Sequence, residues 1–330
     1  MSRGYKRAAV AALCLILLAA IPTALWKTLS AAFQDQTAAE RWQGSSETEY
    51  VQLSCLIDEF QNFSYDNERQ RCQELEVSMS GDTSASFATA GSGMTSVTVE
   101  AVGKRVAARA ICTYGNFALF HPMKMLSGSF YGDGEANHDG VVIDMNLAWK
   151  LYGGYDLKGM SVSINGVPMQ ITGVTDSLDG IAGEAFGVTP TVWIPMEYFP
   201  ERGSAPAVTC YELVLPNPVD GYGMGQVKTL LNFSADDCDY LENTNRFSPL
   251  NSLKNLLKTG ARLMRSSKIR YPYWENAARS AENRCAIYIG IAALLLLYPV
   301  CFVLTSAILL LIRLRRRARG KIEAKRKYWK

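Results

Sequence analysis

Histidine is scarce in this sequence, with only two among 330 residues, which leaves few groups for acid–base catalysis near neutral pH. The sequence also has no G-x-S-x-G, no H-E-x-x-H, no P-loop and no G-x-G-x-x-G motif. His121 precedes Pro122 in an apolar segment, so we interpret it as a packed or capping residue and not as a base. We therefore predict no catalytic, cofactor-binding or metal-binding residues and no enzymatic activity.

The second histidine, His138, lies in the acidic segment GDGEANHDG, where acidic and amide residues recur at every second position as in a calcium loop. An EF-hand loop needs Gly at its sixth position and Glu at its twelfth, which are His138 and Asp144 here. The segment therefore predicts a solvated turn without a bound metal.

Cysteine pairs of the C-x-x-C type are also missing, which excludes zinc knuckles and thioredoxin-type redox motifs. Of the eight cysteines, Cys14 and Cys301 lie in long apolar segments. The other six could meet an oxidising compartment and would allow 15 disulfide pairings, between which the sequence does not choose. These six are Cys55, Cys72, Cys112, Cys210, Cys238 and Cys285.

Charged side chains are absent from residues 285–312, a stretch of 28 positions. A membrane-spanning helix needs about 20 apolar residues and two spans would need about 40, so this stretch predicts one spanning helix. Residues 8–26 form a second apolar segment behind a short basic N-terminus. That pattern is typical of a transmembrane anchor and also of a cleaved secretory signal, and both interpretations stay open.

Basic residues precede the first apolar segment and follow the second. Residues 1–7 contain three Lys/Arg and residues 313–330 contain ten, whereas the net charge of residues 28–312 is −10. Lys and Arg concentrate on the cytoplasmic side of membranes. We predict a cytoplasmic N-terminus (1–7), a first span (8–26), an extracytoplasmic domain with stalks (27–284), a second span (285–312) and a cytoplasmic tail (313–330) in contact with the lipid bilayer. With a net charge of only +3 for the chain, no nucleic-acid partner is expected.

The predicted extracytoplasmic domain alternates strand and helix signals. Apolar residues alternate over 51–57, 97–101 and 106–112, and the Asn165–Gly166 pair between two alternating runs predicts a type I′ hairpin. Helices are predicted at 223–232 and 250–265, and the Gly/Ser/Thr-rich segment 80–96 is predicted to be an exposed loop. From Trp274 onward apolar residues recur at helical spacing, which predicts a helix of about 38 residues that continues into the second span.

An ordered series of short motifs between residues 117 and 175 resembles the MacB-like periplasmic core domain of ABC-type permeases. The first motif is an apolar stretch that ends in a glycine turn, at Leu126, Gly128 and Phe130–Tyr131, and the second is a valine-rich strand and helix that ends at Leu151–Tyr152–Gly153. The third is a glycine hairpin with Gly159, Val162, Ile164 and Gly166, and the series closes on Ile-x-Gly-Val at Ile171, Gly173 and Val174. The segment PTVWIPMEYF at 190–199 is similar to the strand that follows in that family.

This resemblance implies an α+β domain of two subdomains, a homodimer and a separate ABC ATPase as partner. Permeases of the family usually have three spans after this domain, whereas one is predicted here, so a full-length permease could be a further partner. The leading hypothesis is a non-enzymatic membrane subunit of an ABC-type export or envelope-remodelling system. The alternative is a stand-alone membrane-tethered binding or sensing module with no transport role.

Overall fold

The computed structural model of this chain describes residues 3–79, 86–132, 139–178, 180–187, 189–199, 205–257 and 269–328. The helices are α1 (Arg3–Ala32), α2 (Ala38–Gln43), α3 (Tyr65–Met79), α4 (Phe117–Phe120), α5 (Met145–Leu151), α6 (Gly180–Phe186), α7 (Tyr222–Leu231), α8 (Pro249–Leu256) and α9 (Tyr273–Tyr328). The strands are β1 (Tyr50–Ile57), β2 (Ala88–Ala101), β3 (Lys104–Gly115), β4 (Met125–Gly128), β5 (Gly140–Asp144), β6 (Ser161–Ile164), β7 (Val167–Thr175), β8 (Thr191–Pro195), β9 (Cys210–Pro216) and β10 (Cys238–Glu242). Three 3₁₀ turns lie at Gln34–Gln36, Glu59–Gln61 and Met196–Tyr198.

The chain forms two compact units. The helical unit contains Met1–Ala32, Phe247–Thr259 and Glu282–Lys330, and the sheet unit contains Phe33–Arg246 and Gly260–Ala281. Helix α9 contributes its first residues, up to Ala281, to the sheet unit and the rest of its length to the helical unit. The α+β class predicted for the region between the apolar segments is confirmed.

All ten described strands of the sheet unit belong to one mixed sheet in the order β10-β1-β9-β2-β3-β8-β5-β7-β4, and β6 pairs with β2 and β7. Most neighbours are antiparallel, but β3 runs parallel to β8 and β5 runs parallel to β7. Apolar clusters cover both faces of this sheet, one around Leu53 and Ile57 and the other around Leu56, Phe117 and Trp193. A sheet covered on both faces buries its central strands completely.

Strand β1 shows the consequence of this double cover. The predicted alternation of Val51, Leu53, Cys55 and Ile57 is confirmed, and these residues face one apolar cluster. The intervening residues are buried as well, including the polar Gln52 and Ser54, at 0% and 5% exposure. A buried polar side chain is costly unless it is hydrogen-bonded, so this strand requires polar partners on its second face.

The hairpin predicted at Asn165–Gly166 is present, and a second hairpin joins β2 and β3. Ile164 pairs with Val167 across the turn, where Asn165 and Gly166 have φ angles of 49° and 86°. Positive φ at both central residues is the signature of a type I′ turn, which Asn and Gly adopt at low cost. Strands β2 and β3 form the second hairpin, with Ala101 opposite Lys104.

The prediction of an exposed loop over residues 80–96 was wrong from Ala88 onward, and residues 80–85 lie outside the described residues. Residues 88–96 belong to β2, which pairs with β3 on one side and β9 on the other. Glycine is required here by close packing: a Cβ at Gly91 would lie 2.0 Å from the Tyr114 hydroxyl, and one at Gly93 would lie 2.3 Å from the Ala207 carbonyl oxygen. The small residues therefore indicate close approach within a buried strand.

Helices α7 and α8 confirm the two helices predicted after β9, although α8 ends at Leu256 and residues 258–265 lie outside the described part. Within the helical unit, the Trp26 indole Nε1 donates to the Phe247 carbonyl oxygen at 3.0 Å. The Asn255 amide Nδ2 of α8 donates to Glu282 of α9 at 3.4 Å. These contacts hold α8 between segments from both ends of the chain.

Helices α1 and α9 are each long and apolar enough to cross a membrane, and they contain the segments 8–26 and 285–312. Their leucines are exposed: Leu17, Leu297 and Leu311 are 63%, 62% and 59% exposed. An apolar surface of this extent on a helix of this length is typical of contact with lipid. Two such helices, one before and one after the α+β region in the sequence, fit a two-pass membrane protein.

Candidate functional site

A buried ion pair joins the start of α9 to the end of the segment that follows β10. The Glu275 carboxylate, in the first turn of α9, accepts two hydrogen bonds from the Arg246 guanidinium, at 2.7 and 2.8 Å. Arg279, one turn further along α9, donates from Nε to the same carboxylate at 2.6 Å. Two parallel bonds between guanidinium and carboxylate fix the relative orientation of both groups.

The environment of Glu275 decides its protonation state. Burial alone would raise the pKa of this carboxyl, but the guanidinium of Arg246, and then that of Arg279, outweigh burial and lower the pKa below its ordinary value. Glu275 is therefore a carboxylate at neutral pH, at a point where only 3% of the residue is exposed. A charge buried to this degree is stable only while its partners stay in place.

A chain of hydrogen bonds continues from this ion pair into the sheet. Arg246 donates to the Asn243 side-chain oxygen at 3.1 Å, and the Asn243 amide donates to the Ser54 hydroxyl at 2.7 Å. Ser54, on β1, in turn donates to the Glu212 carboxylate of β9 at 3.0 Å. The Ser54 side chain on the second face of β1 thus finds its partners, and the start of α9 is linked to strands β1 and β9.

The network ends at His121, the C-terminal capping residue of α4. Its Nε2 contacts the Glu212 carboxylate, and its ring lies against Phe117 and Trp274, with ring centroids 4.6 and 4.3 Å away. Its Nδ1 lies 3.8 Å from an Asp35 carboxylate oxygen, which is too long for a hydrogen bond, so Asp35 acts as a nearby charge.

These surroundings keep His121 protonated. Burial lowers the pKa of the imidazole, but the Glu212 carboxylate, with a further contribution from Asp35, raises it to about 9. His121 is thus a buried cation paired with a buried carboxylate, and it donates to Glu212. The resulting set of charges, Asp35, His121, Glu212, Arg246, Glu275 and Arg279, is called the charge network below.

The structure describes one of the two histidines of the sequence, His121. His121 is packed and caps a helix as predicted, while its charged partners were missed because they are distant in sequence. His138 lies outside the described residues. Among the described residues, no group of three His, Cys, Asp or Glu side chains could hold a metal ion.

All eight cysteines are free thiols in this structure. Cys55, Cys112, Cys210, Cys238 and Cys285 are buried and Cys72 is partly buried. Burial, the largest effect at each site, raises the pKa of Cys55, Cys112 and Cys210. Elevated pKa values disfavour the thiolate, so these cysteines do not resemble reactive nucleophiles.

The charge network is built from opposite charges that lie close together. Every charged member is neutralised by an opposite charge, and the central carboxylates are shielded from solvent. The network holds the first turns of α9 against β1 and β9 in one orientation. Its role is consistent with mechanical attachment of a helix to a sheet.

Comparison with known proteins finds a matching family and solved structures that resemble this chain. The family described as the MacB-like periplasmic core domain matches residues 9–221. The extracellular domain of the noncanonical ABC-type transporter YknZ from Gram-positive bacteria is 10% identical, with 58% of this chain and 98% of that chain covered and a TM-score of 0.40. The periplasmic region of MacB from Actinobacillus actinomycetemcomitans is 10% identical, with 65% and 94% covered and a TM-score of 0.43.

No curated protein matches this sequence significantly. The family of the chain therefore rests on the family match, which spans well over half of the 330 residues. Because that match includes β1 to β9 of the described sheet, it covers most of the sheet unit. This chain belongs to the family of the MacB-like periplasmic core domain, which is found in ABC-type transporter permeases.

Proposed function

We propose that this chain is a non-enzymatic membrane subunit of an ABC-type export or envelope-remodelling system. Residues 27–284 would form its extracytoplasmic domain, which binds a partner or a substrate. The spans at 8–26 and 285–312 would anchor this domain, with both termini in the cytoplasm. The family of the chain and its two apolar helices support this assignment.

The observation that carries the proposal is the construction of α9. This helix runs from Tyr273 to Tyr328, and it contains both the Glu275 anchor in the sheet unit and the apolar segment 285–312. The backbone hydrogen bonds of a helix resist bending along α9 except at Pro299, which lacks an N–H donor, so a displacement applied at one end is transmitted to the other. We propose that α9 relays motion between the extracytoplasmic domain and the cytoplasm.

Energy for such motion must come from another protein, because the sequence has no P-loop. The proposed partner is a separate ABC ATPase, alone or together with a full-length permease, and the chain itself is proposed to form a homodimer. Co-purification tests this. Full-length tagged chain, crosslinked in its native membrane and solubilised in mild detergent, is expected to recover a P-loop ATPase or a longer permease.

A two-pass membrane protein without this domain, expressed at the same level, is the control for adventitious capture. Recovery of the chain alone and as a monomer would contradict the assignment. That outcome would favour the alternative, a membrane-tethered binding or sensing module with no transport role.

A further inference from the structure

A cleft of about 620 Å³ opens beside the charge network in the sheet unit. Its floor is formed by neighbouring strands β2 and β3, where Ser96 lies opposite Arg109. Its wall is formed by Arg270 and Tyr271, just before α9, and by the first turn of that helix. The lining residues are Met94, Thr95, Ser96, Arg109, Arg270, Tyr271, Tyr273 and Asn276.

Two guanidinium groups give this cleft its charge. Arg109 is half-buried, and this partial withdrawal from water lowers the pKa of its guanidinium. Electrostatic attraction to an anion is stronger where water is partly excluded. The Arg270 side chain is 66% exposed, and its Nη1 lies 3.5 Å from Glu59 Oε2. An exposed ion pair of this kind contributes little free energy, so replacing Glu59 by another anion costs little. Among the described residues that line the cleft, none is an Asp or a Glu.

The remaining lining residues add an apolar surface and a hydrogen-bond acceptor. The rings of Tyr271 and Tyr273 and the Met94 side chain provide apolar contact. The Asn276 amide donates to the Tyr271 carbonyl oxygen at 3.2 Å, while its buried oxygen Oδ1 has no hydrogen-bond partner among the described residues. A buried acceptor without a partner is costly, so rotation of the Asn276 amide to present Oδ1 to a bound N–H or O–H group would be stabilising.

We propose that this cleft binds a small organic anion, namely a carboxylate or phosphate carried on an apolar body with a nearby N–H or O–H donor. The oxyanion contacts Arg109 and Arg270, the apolar body lies against the tyrosine rings, and the donor reaches Asn276. Arginine suits both carboxylate and phosphate because its planar donors match either geometry. The site does not depend on the proposed ATPase partner, so binding and partner recovery are separate results.

The test uses isothermal titration calorimetry on the full-length chain in a non-ionic detergent. The probes are N-acetyl-phenylalanine, its neutral amide N-acetyl-phenylalaninamide, and phenyl phosphate. We expect saturable binding of at least one of the two acids, and at least about tenfold weaker binding of the amide, because a contact to a charged group contributes this much. The acid that binds more tightly identifies carboxylate or phosphate as the preferred group.

Arg109→Met is expected to weaken binding of the preferred acid at least about tenfold. Arg105→Met is the matched control, since Arg105 lies on the same strand, is 73% exposed and pairs with Glu100 away from the cleft. If Arg109→Met fails to fold by circular dichroism, the exposed Arg270→Gln replaces it, with a smaller loss expected. The proposal is wrong if neither acid binds saturably, if the amide binds as tightly as its acid, or if the variants in the cleft bind like Arg105→Met.

Discussion

The Arg246 guanidinium binds the Glu275 carboxylate through two hydrogen bonds of 2.7 and 2.8 Å, although these residues are only 8% and 3% exposed. Arg246 is the last residue of the sheet unit before α8, and Glu275 lies in the first turn of α9. Breaking a buried pair of this kind leaves an uncompensated charge in the interior. The attachment of α9 to the sheet therefore depends on a small number of charged groups.

Neutralising Glu275 is expected to destabilise the sheet unit. Glu275→Gln keeps the shape of the side chain but leaves the buried Arg246 without an opposite charge, at a cost of about 3 kcal/mol in the free energy of unfolding. Denaturant titration of the full-length chain in detergent micelles measures this loss. Glu74→Gln is the control, because Glu74 is exposed on α3, where it pairs with the partly exposed Arg71 and accepts a hydrogen bond from Gln70, and it should leave the midpoint unchanged.

Replacing both members of the ion pair distinguishes the effect of an unpaired buried charge on stability from the effect of lost packing. Arg246→Met combined with Glu275→Leu deletes the two partners together and replaces them with apolar groups of similar size. Such double replacements are often neutral in stability, but Arg279 still loses the carboxylate that it shares with Arg246, so part of the loss seen in Glu275→Gln should be recovered. If the double variant is less stable than Glu275→Gln alone, the neighbouring polar groups, and not the pair, determine the stability.

His121 should make stability depend on pH on the alkaline side. The folded-state pKa is raised to about 9, above the ordinary value of about 6.5. The stabilisation is therefore complete below the unfolded-state value, decreases as the pH rises through 9, and amounts to about 3 kcal/mol for a shift of this size. The groups that face the imidazole are Glu212 on β9 and Asp35 in the turn before α2, together with the rings of Phe117 and Trp274.

Melting temperatures of the wild-type chain between pH 6 and pH 10 measure this dependence, with His121→Gln as the comparison. The wild type should lose stability as the pH approaches 9, and the variant should be less stable at pH 6 and depend less on pH. Parallel curves for the two proteins would show that His121 is not the titrating group.

Local patterns explain why much of the fold could be predicted. Asn165–Gly166 specifies its turn by backbone conformation alone, and the uncharged run 285–312 specifies an apolar helix by length and composition. The charge network could not be predicted in this way, because Ser54, Glu212 and Asn243 meet only through strand pairing over long sequence separations. For the same reason residues 88–96 looked like a loop: their glycines are explained by Tyr114 and Ala207, which the local sequence does not reveal.

Cysteine labelling should follow burial. N-ethylmaleimide reacts with the thiolate, and Cys55, Cys112 and Cys210 are buried with raised pKa values. We expect these three and the buried Cys238 to remain unlabelled in the native chain, while the partly buried Cys72 reacts slowly. Peptide mass spectrometry before and after guanidinium denaturation measures the difference. Rapid native labelling of Cys112 would contradict its position between β2 and β8 in the sheet.

Reporter fusions test the predicted orientation of both ends. Ten Lys/Arg residues after position 312 favour a cytoplasmic tail, and a fluorescent protein fused after Lys330 should therefore be fluorescent in cells. Alkaline phosphatase, which is active only outside the cytoplasm, should be inactive at that position but active when fused after Ser46 in the proposed extracytoplasmic domain. Replacing the basic residues at 313, 315, 316, 317 and 319 with Gln should weaken this preference, because positive charge near the end of the span sets the orientation. An active phosphatase after Lys330 in the unaltered chain would place the tail outside, and α9 could then not relay motion to a cytoplasmic ATPase as proposed.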